Sequence, residues 1–346
     1  MLSPPGGALG LENMLCRVCG HASAAPHYII LEMMYGTREP FDYFQCVACG
    51  CLQIARIPGD LSRHYRDGYY SYRSPVDDRG ALKRWVALTR NRGALFGRGF
   101  VGPLLERLSP RPDLRALKPL GLGLDSRVLD VGCGAGHLLR AMADCGMRRL
   151  HGIDPYIAED IENPDGFVIR KAALLETDGP WDVVMFHHSF EHLPDPHEAL
   201  AHVATLLAGG GWCLLRVPTV SSWAWEHYGT DWVQLDAPRH LHLFSHESIR
   251  LLAESHGFVV EDIVCDSTSL QFWGSEQYRQ GIALRDGRSL AIDPDAGVFS
   301  RRELAAFRRS SERLNKAQRG DQAIYYLRRL DQTSLADKKR GLGCSS

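Results

Sequence analysis

The nine residues VLDVGCGAG, at positions 128–136, decide the fold of this 346-residue chain. Val128 to Val131 form an apolar segment typical of a buried strand, and the alternating glycines indicate a tight turn into a helix that begins near His137. In an open α/β sheet, ligands bind where the carboxyl end of a strand meets such a turn. The stretch therefore predicts a ligand site at the edge of a parallel sheet.

The spacing of the glycines distinguishes this turn from a dinucleotide-binding turn. A dinucleotide fingerprint reads G-x-G-x-x-G, whereas Gly132, Gly134 and Gly136 occupy alternate positions. Together with Asp130 they form the pattern Asp-x-Gly-x-Gly-x-Gly, which resembles motif I of the Rossmann-like, class I methyltransferases that use S-adenosylmethionine. A turn that serves only to pack a helix on a strand is the structural alternative.

A second strand, predicted at 149–154, ends at Asp154, which stands 18 positions after Gly136. A carboxylate about 20 positions beyond the turn can accept hydrogen bonds from both hydroxyls of a ribose. An aspartate before a proline is also a common turn former, and Pro155 follows here. The position nevertheless agrees with the glycine turn in predicting a nucleoside site.

Two further segments follow in the order typical of the same family. The apolar run at 181–186 leads into HHSFEHLPDP at 187–196, and the family carries a similar histidine-rich segment where its fourth strand ends, facing cofactor and acceptor. The glycines at 209–211 then precede an apolar run at 212–218 that looks like the fifth strand. Four ordered matches are far more specific than one glycine motif.

The resemblance implies a set of residues for the methyl donor. Asp130 is expected to orient the donor's amino group and Asp154 to hold its ribose. His187 and His188 are adjacent, so on a strand they point to opposite faces and only one can reach the site. The predicted cofactor-binding residues are Asp130, Gly132, Gly134, Gly136, Asp154 and His187.

A general base is expected where the acceptor is a hydroxyl or a carbon acid, whereas a neutral amine already has its lone pair. Imidazole suits this role because its pKa lies near operating pH. His192 is the expected proton acceptor, with Glu191 and His240 orienting the acceptor. The predicted catalytic residues are His188, Glu191, His192 and His240.

The acceptor side is expected in the segment 219–242, after the fifth strand. Aromatic side chains with a few polar groups suit a sugar or a small planar acceptor, although several tryptophans could simply cap the core. Arg239 and His240 are the pair expected to be functional, since two polar groups in a short loop are less easily explained by packing. The candidates are Trp223, Trp225, Tyr228, Trp232, Arg239, His240 and His242.

Four cysteines form two C-x2-C pairs, Cys16 with Cys19 and Cys46 with Cys49. In a cytosolic chain this pattern predicts a tetrahedral structural zinc site, because reducing conditions disfavour disulfides and each short pair can hold one metal from a turn. A glycine follows each pair and favours a tight turn. A ribbon of this size has too little core to fold without its metal.

Composition excludes several classes of function. The chain is 45% hydrophobic with a formal net charge of −1, so it has no electrostatic footprint for nucleic acid. No apolar run reaches the roughly 18 residues of a membrane span, and the first ten residues lack the features of a secretory signal. A cytoplasmic protein is expected. The alternatives left open are a zinc-ribbon methyltransferase associated with nucleic acid and a binding protein that holds the cofactor without catalysis.

The domain organisation predicted is a zinc-binding ribbon at 11–60, a helical connector or lid at 61–115, and a methyltransferase domain at 116–330. The ribbon strands are expected at 27–31 and 41–45. The connector carries Tyr65, Tyr69, Tyr70 and Tyr72, which pack on the ribbon or reach the cofactor. A disordered tail is expected at 331–346.

Alternating strands and helices in the catalytic part predict an α/β fold with a parallel sheet. The methyltransferase resemblance implies that the last strand, expected at 320–328, is inserted antiparallel after a helical insertion at 270–318. The order of the parts is similar to that of sugar C-methyltransferases and related enzymes of polysaccharide and secondary-metabolite pathways. The sequence has no room for the large C-terminal domain with which those enzymes hold a nucleotide-sugar, so the acceptor, a sugar or another small molecule, stays open. The sequence does not indicate the oligomeric state either.

Overall fold

The computed structural model describes residues 8–65, 80–97, 99–163 and 166–330, which contain one eight-stranded and one five-stranded sheet. Tyr69, Tyr70, Tyr72 and the expected tail at 331–346 lie outside these ranges. Within them, no helix has both the length and the apolar composition needed to cross a membrane.

The strands within these ranges are β1 (Ala8–Leu15), β2 (Ala22–Leu31), β3 (Pro40–Gln45), β4 (Leu52–Ile54), β5 (Arg127–Val131), β6 (Arg149–Ile153), β7 (Ile161–Asn163), β8 (Phe167–Arg170), β9 (Trp181–His187), β10 (Leu207–Pro218), β11 (His242–Leu243), β12 (Phe258–Cys265) and β13 (Gln322–Arg329). The α-helices are α1 (Ala81–Phe96), α2 (Val101–Leu108), α3 (Pro112–Arg115), α4 (His137–Asp144), α5 (Pro196–Leu206), α6 (Trp223–Tyr228), α7 (His246–Ser255), α8 (Leu270–Arg279) and α9 (Arg301–Lys316).

The large sheet has the order β12-β13-β10-β9-β5-β6-β8-β7. Its five central strands, from β10 to β8, are parallel, and β13 is antiparallel to both β10 and β12. The expected α/β sheet with an antiparallel last strand is therefore confirmed. The short strand β7 was not predicted, and it pairs antiparallel with β8 at the far edge.

Both faces of the large sheet are covered, which explains the uninterrupted apolar run in β9. Val184 and Phe186 pack into one hydrophobic cluster with α5 and α7, whereas Val183 and Met185 pack into a second cluster with α4. All four side chains are fully buried. A strand buried on both faces shows a continuous apolar sequence instead of an alternating one.

Local capping groups begin the two helices on the first of these faces. The Asp195 carboxylate accepts hydrogen bonds from the backbone N–H groups of His197 and Glu198, and Pro196 occupies the first helical position of α5. The Ser245 hydroxyl accepts from the N–H of Ser248 at the start of α7. These caps satisfy N–H groups that have no partner within the helix.

The N-terminal module, which consists of β1 to β4 and their connections, belongs to a larger sheet than the ribbon predicted at 11–60. The sheet has the order β1-β2-β3-β4-β11, and its fifth strand comes from much later in the sequence, after β10. Residues 27–31 and 41–45, the two strands predicted, are parts of β2 and β3. The segments of β1 and β4 lack a clear alternating pattern, and β11 contains only two residues, so periodicity could not find them.

Candidate functional site

A pocket of roughly 380 Å³ lies at the carboxyl edge of the large sheet, where parallel strands end side by side. Each of the central strands β5, β6, β8 and β9 supplies it with the residues that follow the strand. The lining includes Tyr65, Asp130, Gly132, Cys133, His137, Asp154, Tyr156, Ala173, Leu174, His187, His188, Ser189 and His192. The topology thus brings most of the predicted site residues to one place.

The glycine turn has backbone angles that explain its composition. Gly132, Gly134 and Gly136 have φ values of 74°, 53° and 73°, in the left-handed region that favours glycine. A Cβ at Gly132 would lie 2.5 Å from the Cβ of Ser189, and one at Gly136 would lie 2.5 Å from Ile169 Cδ1. At these two positions the missing side chain lets protein segments pack closely around the pocket.

Two buried carboxylates lie on one side of the pocket. Burial, together with the charge of Asp154, raises the pKa of Asp130 to about 7. Burial also raises the pKa of Asp154, although its two oxygens accept hydrogen bonds from the backbone N–H groups of Gly134 at 3.0 Å and Tyr156 at 2.9 Å. This pair suits a cationic ligand with a neighbouring diol, and Asp154 is also held to the glycine turn.

His187 and His188 both line the pocket, so the expectation that only one could reach it is wrong. The reason is that β9 ends at His187, and His188 has a φ of 54°, outside the extended geometry that makes neighbouring side chains alternate. Burial and the charge of Arg216 lower the pKa of His187 to about 3, which keeps its ring neutral.

Glu191, His192 and His240 form a polar cluster next to His188, with donor atoms within 4.8 Å of one another. Of these three residues His192 lines the pocket, whereas Glu191 and His240 are buried and do not line it. Glu191 Oε1 lies 3.5 Å from His188 Nδ1 and 3.8 Å from His240 Nε2. The Glu191 side chain is completely buried, and burial alone would raise its pKa. The histidines outweigh this effect and lower the pKa of Glu191 to about 2, so it is ionised.

Backbone carbonyls orient both imidazoles of this cluster. His192 Nδ1 donates to the Arg239 carbonyl oxygen at 2.8 Å, and His240 Nδ1 donates to the Gln234 carbonyl oxygen at 2.7 Å. A carbonyl can only accept, so the neutral rings carry their proton on Nδ1 and leave Nε2 free to accept one. Burial lowers the pKa of His240 to about 4, although Asp236 opposes the shift.

Most aromatic residues of the segment 219–242 do not line the pocket. Trp225, Tyr228 and Trp232 are at most 5% exposed and pack with Tyr28 in the hydrophobic cluster beneath the N-terminal module. Their expected role as acceptor contacts is therefore wrong, and packing explains them. Trp223 stacks on His227 with ring centroids 4.2 Å apart.

Arg239 and His242 also lie away from the pocket surface. Arg239 is completely buried and donates to Glu32 and Asp236. His242 is buried in β11, where its Nε2 accepts from Arg17 Nε. Neither residue is the acceptor contact expected from its place in a short polar loop.

The four cysteines of the N-terminal module converge as predicted. Their sulfur atoms lie within 4.8 Å of one another, with 3.6 Å between Cys16 and Cys49 and 3.6 Å between Cys19 and Cys46. A tetrahedral site with metal–sulfur distances of about 2.3 Å places its ligands about 3.8 Å apart, so the four thiolates could hold one metal ion. Gln53 Nε2 donates to Cys16 Sγ at 3.1 Å, a contact that also orients this ligand.

The sequence interpretation missed Tyr156, Ala173 and Leu174 of the pocket, whereas Tyr65 was one of the tyrosines considered for it. Tyr65 and Tyr156 stack with ring centroids 5.5 Å apart, and Tyr65 Oη lies 3.4 Å from His192 Nδ1. Ala173 and Leu174 line the pocket after β8. They follow β8, so the carboxyl-edge rule applied to that strand would have found them.

Comparison with known proteins identifies the central part of the chain. Residues 94–263 match a family model described as a methyltransferase domain. The ubiquinone biosynthesis O-methyltransferase of Bordetella avium (strain 197N) is 31% identical over 138 residues, which cover 35% of this chain and 55% of that protein. The protein of the same description from Burkholderia cenocepacia is 28% identical over 153 residues, covering 37% and 64%. The chain thus spans less than two thirds of these relatives' length.

A solved mycolic acid cyclopropane synthase, complexed with SAH and CTAB, is 20% identical to this chain. The superposition covers 65% of this chain and 85% of that one, with a TM-score of 0.42.

Proposed function

Because residues 94–263 match a methyltransferase domain model, we propose that this chain is a class I, S-adenosylmethionine-dependent methyltransferase that methylates an oxygen or a carbon acid of a small acceptor. The observation that carries this proposal is the cluster of Glu191, His192 and His240, of which His192 lines the pocket, because transfer to an amine would need no such base. The names of the O-methyltransferase relatives favour oxygen.

The donor side of the pocket is proposed to be Asp130, Asp154 and the glycine turn. S-adenosylmethionine supplies a methyl group that its sulfonium charge already activates. Asp130 would attract the cationic amino group, and Asp154 would accept from the ribose hydroxyls. His187, which stays neutral, would complete this side without repelling the positive charge.

The acceptor side is proposed to begin at His192. Its Nδ1–H is held by the Arg239 carbonyl, so Nε2 takes the acceptor proton, and the ionised Glu191 stabilises the resulting imidazolium. His188, which lines the pocket, would hold the acceptor, and the buried His240 contacts the same carboxylate and would help to orient the cluster. Proton transfer and alignment of the nucleophile are the two contributions this geometry makes.

A small planar or cyclic acceptor is proposed, either a hydroxylated aromatic compound or a sugar. Tyr65 and Tyr156 stack at the pocket and offer an aromatic wall to such a molecule. The net charge of −1 gives no support to the alternative of a nucleic-acid acceptor.

The four cysteines are proposed to bind one structural Zn²⁺. All four ligands would be protein thiolates, so the metal would have no open position for catalysis. A cytoplasmic location is proposed with it, because a reducing compartment keeps these side chains available as thiolates.

Methyl-labelled S-adenosylmethionine, incubated with the protein and two acceptor panels, tests the proposal. The panels are catechols and nucleotide sugars, and mass spectrometry identifies the labelled product. We expect label in one panel with the native protein and its loss in the variant His192→Ala. Donor binding without any labelled product would instead favour a non-catalytic binding protein.

A chelator control separates a base from a metal site at the same cluster. Activity that disappears on chelation while the cysteine-bound metal is retained, and that returns with a divalent cation, would assign Glu191, His192 and His240 to metal binding. Unchanged activity supports their proposed role in proton transfer.

A further inference from the structure

The N-terminal module and the loop that carries His240 are parts of one sheet. Strand β11 follows this loop directly and pairs antiparallel with β4 of the module, with His242 opposite Gln53 and Leu243 opposite Leu52. The Ile54 N–H donates to the Leu241 carbonyl oxygen at 3.0 Å and extends the pairing to the loop itself. A displacement of the module therefore moves the loop with it.

A buried ion-pair network holds the same loop from its other side. The Arg239 guanidinium, which is completely buried, donates to Glu32 Oε1 at 3.0 Å, to Asp236 Oδ1 at 2.6 Å and to the His64 carbonyl oxygen at 2.9 Å. Glu32 follows β2 and is itself 1% exposed. A buried charge is tolerated when it is paired and hydrogen-bonded in this way, so the network fixes the position of Arg239.

The carboxylate of Glu32 is fixed as firmly as its partner. Its oxygens accept from the backbone N–H groups of Tyr35 and Thr37 at 3.0 Å each, and from the Thr37 hydroxyl at 3.0 Å. Burial alone would raise the pKa of Glu32, but these N–H groups and Arg239 hold it below its ordinary value. Glu32 is thus an ionised anchor built into a tight turn.

The backbone of the loop transmits this anchoring to the proposed base. The Arg239 carbonyl accepts the His192 Nδ1 hydrogen bond, and the Tyr43 hydroxyl donates to the next carbonyl, that of His240, at 2.9 Å. The Leu241 N–H donates to the Glu191 carbonyl oxygen at 2.9 Å. Tyr43 is completely buried in β3, and its hydroxyl is committed to this contact.

We infer that Glu32 and Tyr43, both in the N-terminal module, are positioning residues for His192. They fix the Arg239–His240 backbone, and this backbone selects the ring form of His192 that has its proton on Nδ1 and its Nε2 free. The module is then part of the proton-transfer site, in addition to its proposed role as a metal-stabilised fold. This inference rests on the proposed function, in which His192 takes the acceptor proton.

Histidine NMR on the full-length, metal-containing protein tests the inference without any acceptor. Two-bond ¹H–¹⁵N correlations report which ring nitrogen carries the proton, and the spectrum of His192→Asn assigns the His192 signals. In the native protein we expect a pure Nδ1–H form. In Glu32→Gln and in Tyr43→Phe we expect a mixture of the two ring forms, because the carbonyl is no longer held against Nδ1.

The matched control is Asp42→Asn in the same module. Asp42, in β3, pairs with His27 of β2 at 2.9 Å, and its side chain is 45% exposed. This variant should leave the His192 signals unchanged. All three variants should bind S-adenosylmethionine with the native affinity, within about twofold, as measured by calorimetry. Breaking a buried ion pair is strongly destabilising, so Tyr43→Phe decides the test if Glu32→Gln does not fold.

The outcomes separate this inference from the proposed function. An unchanged Nδ1–H form of His192 in folded Tyr43→Phe would overturn the inference. A mixed form in that variant, together with full methyl transfer by His192→Ala, would uphold the positioning but refute the proposed base. If both the positioning inference and the proposed base are correct, Tyr43→Phe should also lose roughly tenfold or more in turnover at saturating acceptor. Small misplacements of reacting groups reduce the rate by at least this factor.

Discussion

Donor affinity should depend on pH through Asp130, and the structure sets the size of the effect. The pKa of about 7 means that this carboxylate is roughly one tenth ionised at pH 6 and one half ionised at pH 7. The α-amino group of the donor stays cationic across this interval because its ordinary pKa is about 7.7 to 8.0. If the ionised form is the one that binds, affinity should rise up to roughly fivefold from pH 6 to pH 7.

Calorimetric titration of S-adenosylmethionine at pH 6.0, 6.5 and 7.0 measures this change. Asp130→Asn should bind more weakly, by about 10- to 100-fold at pH 7, because a hydrogen bond to a charged group contributes about 1.5 to 3 kcal/mol. Its affinity should no longer change with pH. The same substitution at the exposed Asp125, just before β5, is the control and should keep the native behaviour.

Two results would refute this reasoning. A native affinity that stays constant from pH 6 to pH 7 would show that the charge of Asp130 does not contribute to donor binding. A slope that persists in Asp130→Asn would assign the titration to another group, of which Asp154 is the first candidate because burial raises its pKa as well.

Three further results are expected. His192→Ala should bind the donor normally and lose about 10²- to 10⁴-fold in turnover, the usual contribution of one positioned base; weaker donor binding with unchanged turnover would make His192 a cofactor contact instead. Cys46→Ser should lose its metal and become partly unfolded or insoluble, and elemental analysis of native protein that finds clearly less than one zinc per chain would contradict the zinc site. Asp154→Asn should weaken donor binding by about tenfold or more without unfolding the domain, as thermal unfolding would verify; unchanged affinity would exclude its contact with the ribose.

Local sequence patterns were sufficient to predict the catalytic sheet and one side of its pocket. The glycine turn after β5 and the acidic residue after β6 depend on backbone geometry and strand order, which neighbouring residues determine. The antiparallel position of β13 came from family resemblance, since its sequence does not state its direction. The convergence of the four cysteines could likewise be predicted, because each pair holds its own turn.

Long-range pairing accounts for what the sequence did not reveal. Strand β11 has two residues and joins a sheet whose other strands lie about 190 or more positions earlier, a contact that no periodicity indicates. The ion pair of Arg239 could not be predicted for the same reason, because its partner Glu32 is 207 positions away in the sequence. The positive φ of His188 could not be predicted either, since the sequence does not show at which residue β9 ends and the side chains stop alternating between the two faces.

The pKa values of two buried carboxylates at the same edge of the sheet shift in opposite directions, which distinguishes two chemically different ends of the site. Asp130 lies near the Asp154 carboxylate, so burial and repulsion raise its pKa to about 7, and the positive charge of a cationic ligand would offset both effects. Glu191 lies among three histidines, which lower its pKa to about 2. The carboxylate is therefore ionised and can stabilise a protonated imidazole beside it. Environments that separate the pKa values of paired groups mark distinct roles. The end near Asp130 is therefore suited to hold the positive donor, and the end near Glu191 is suited to receive the proton that the acceptor releases.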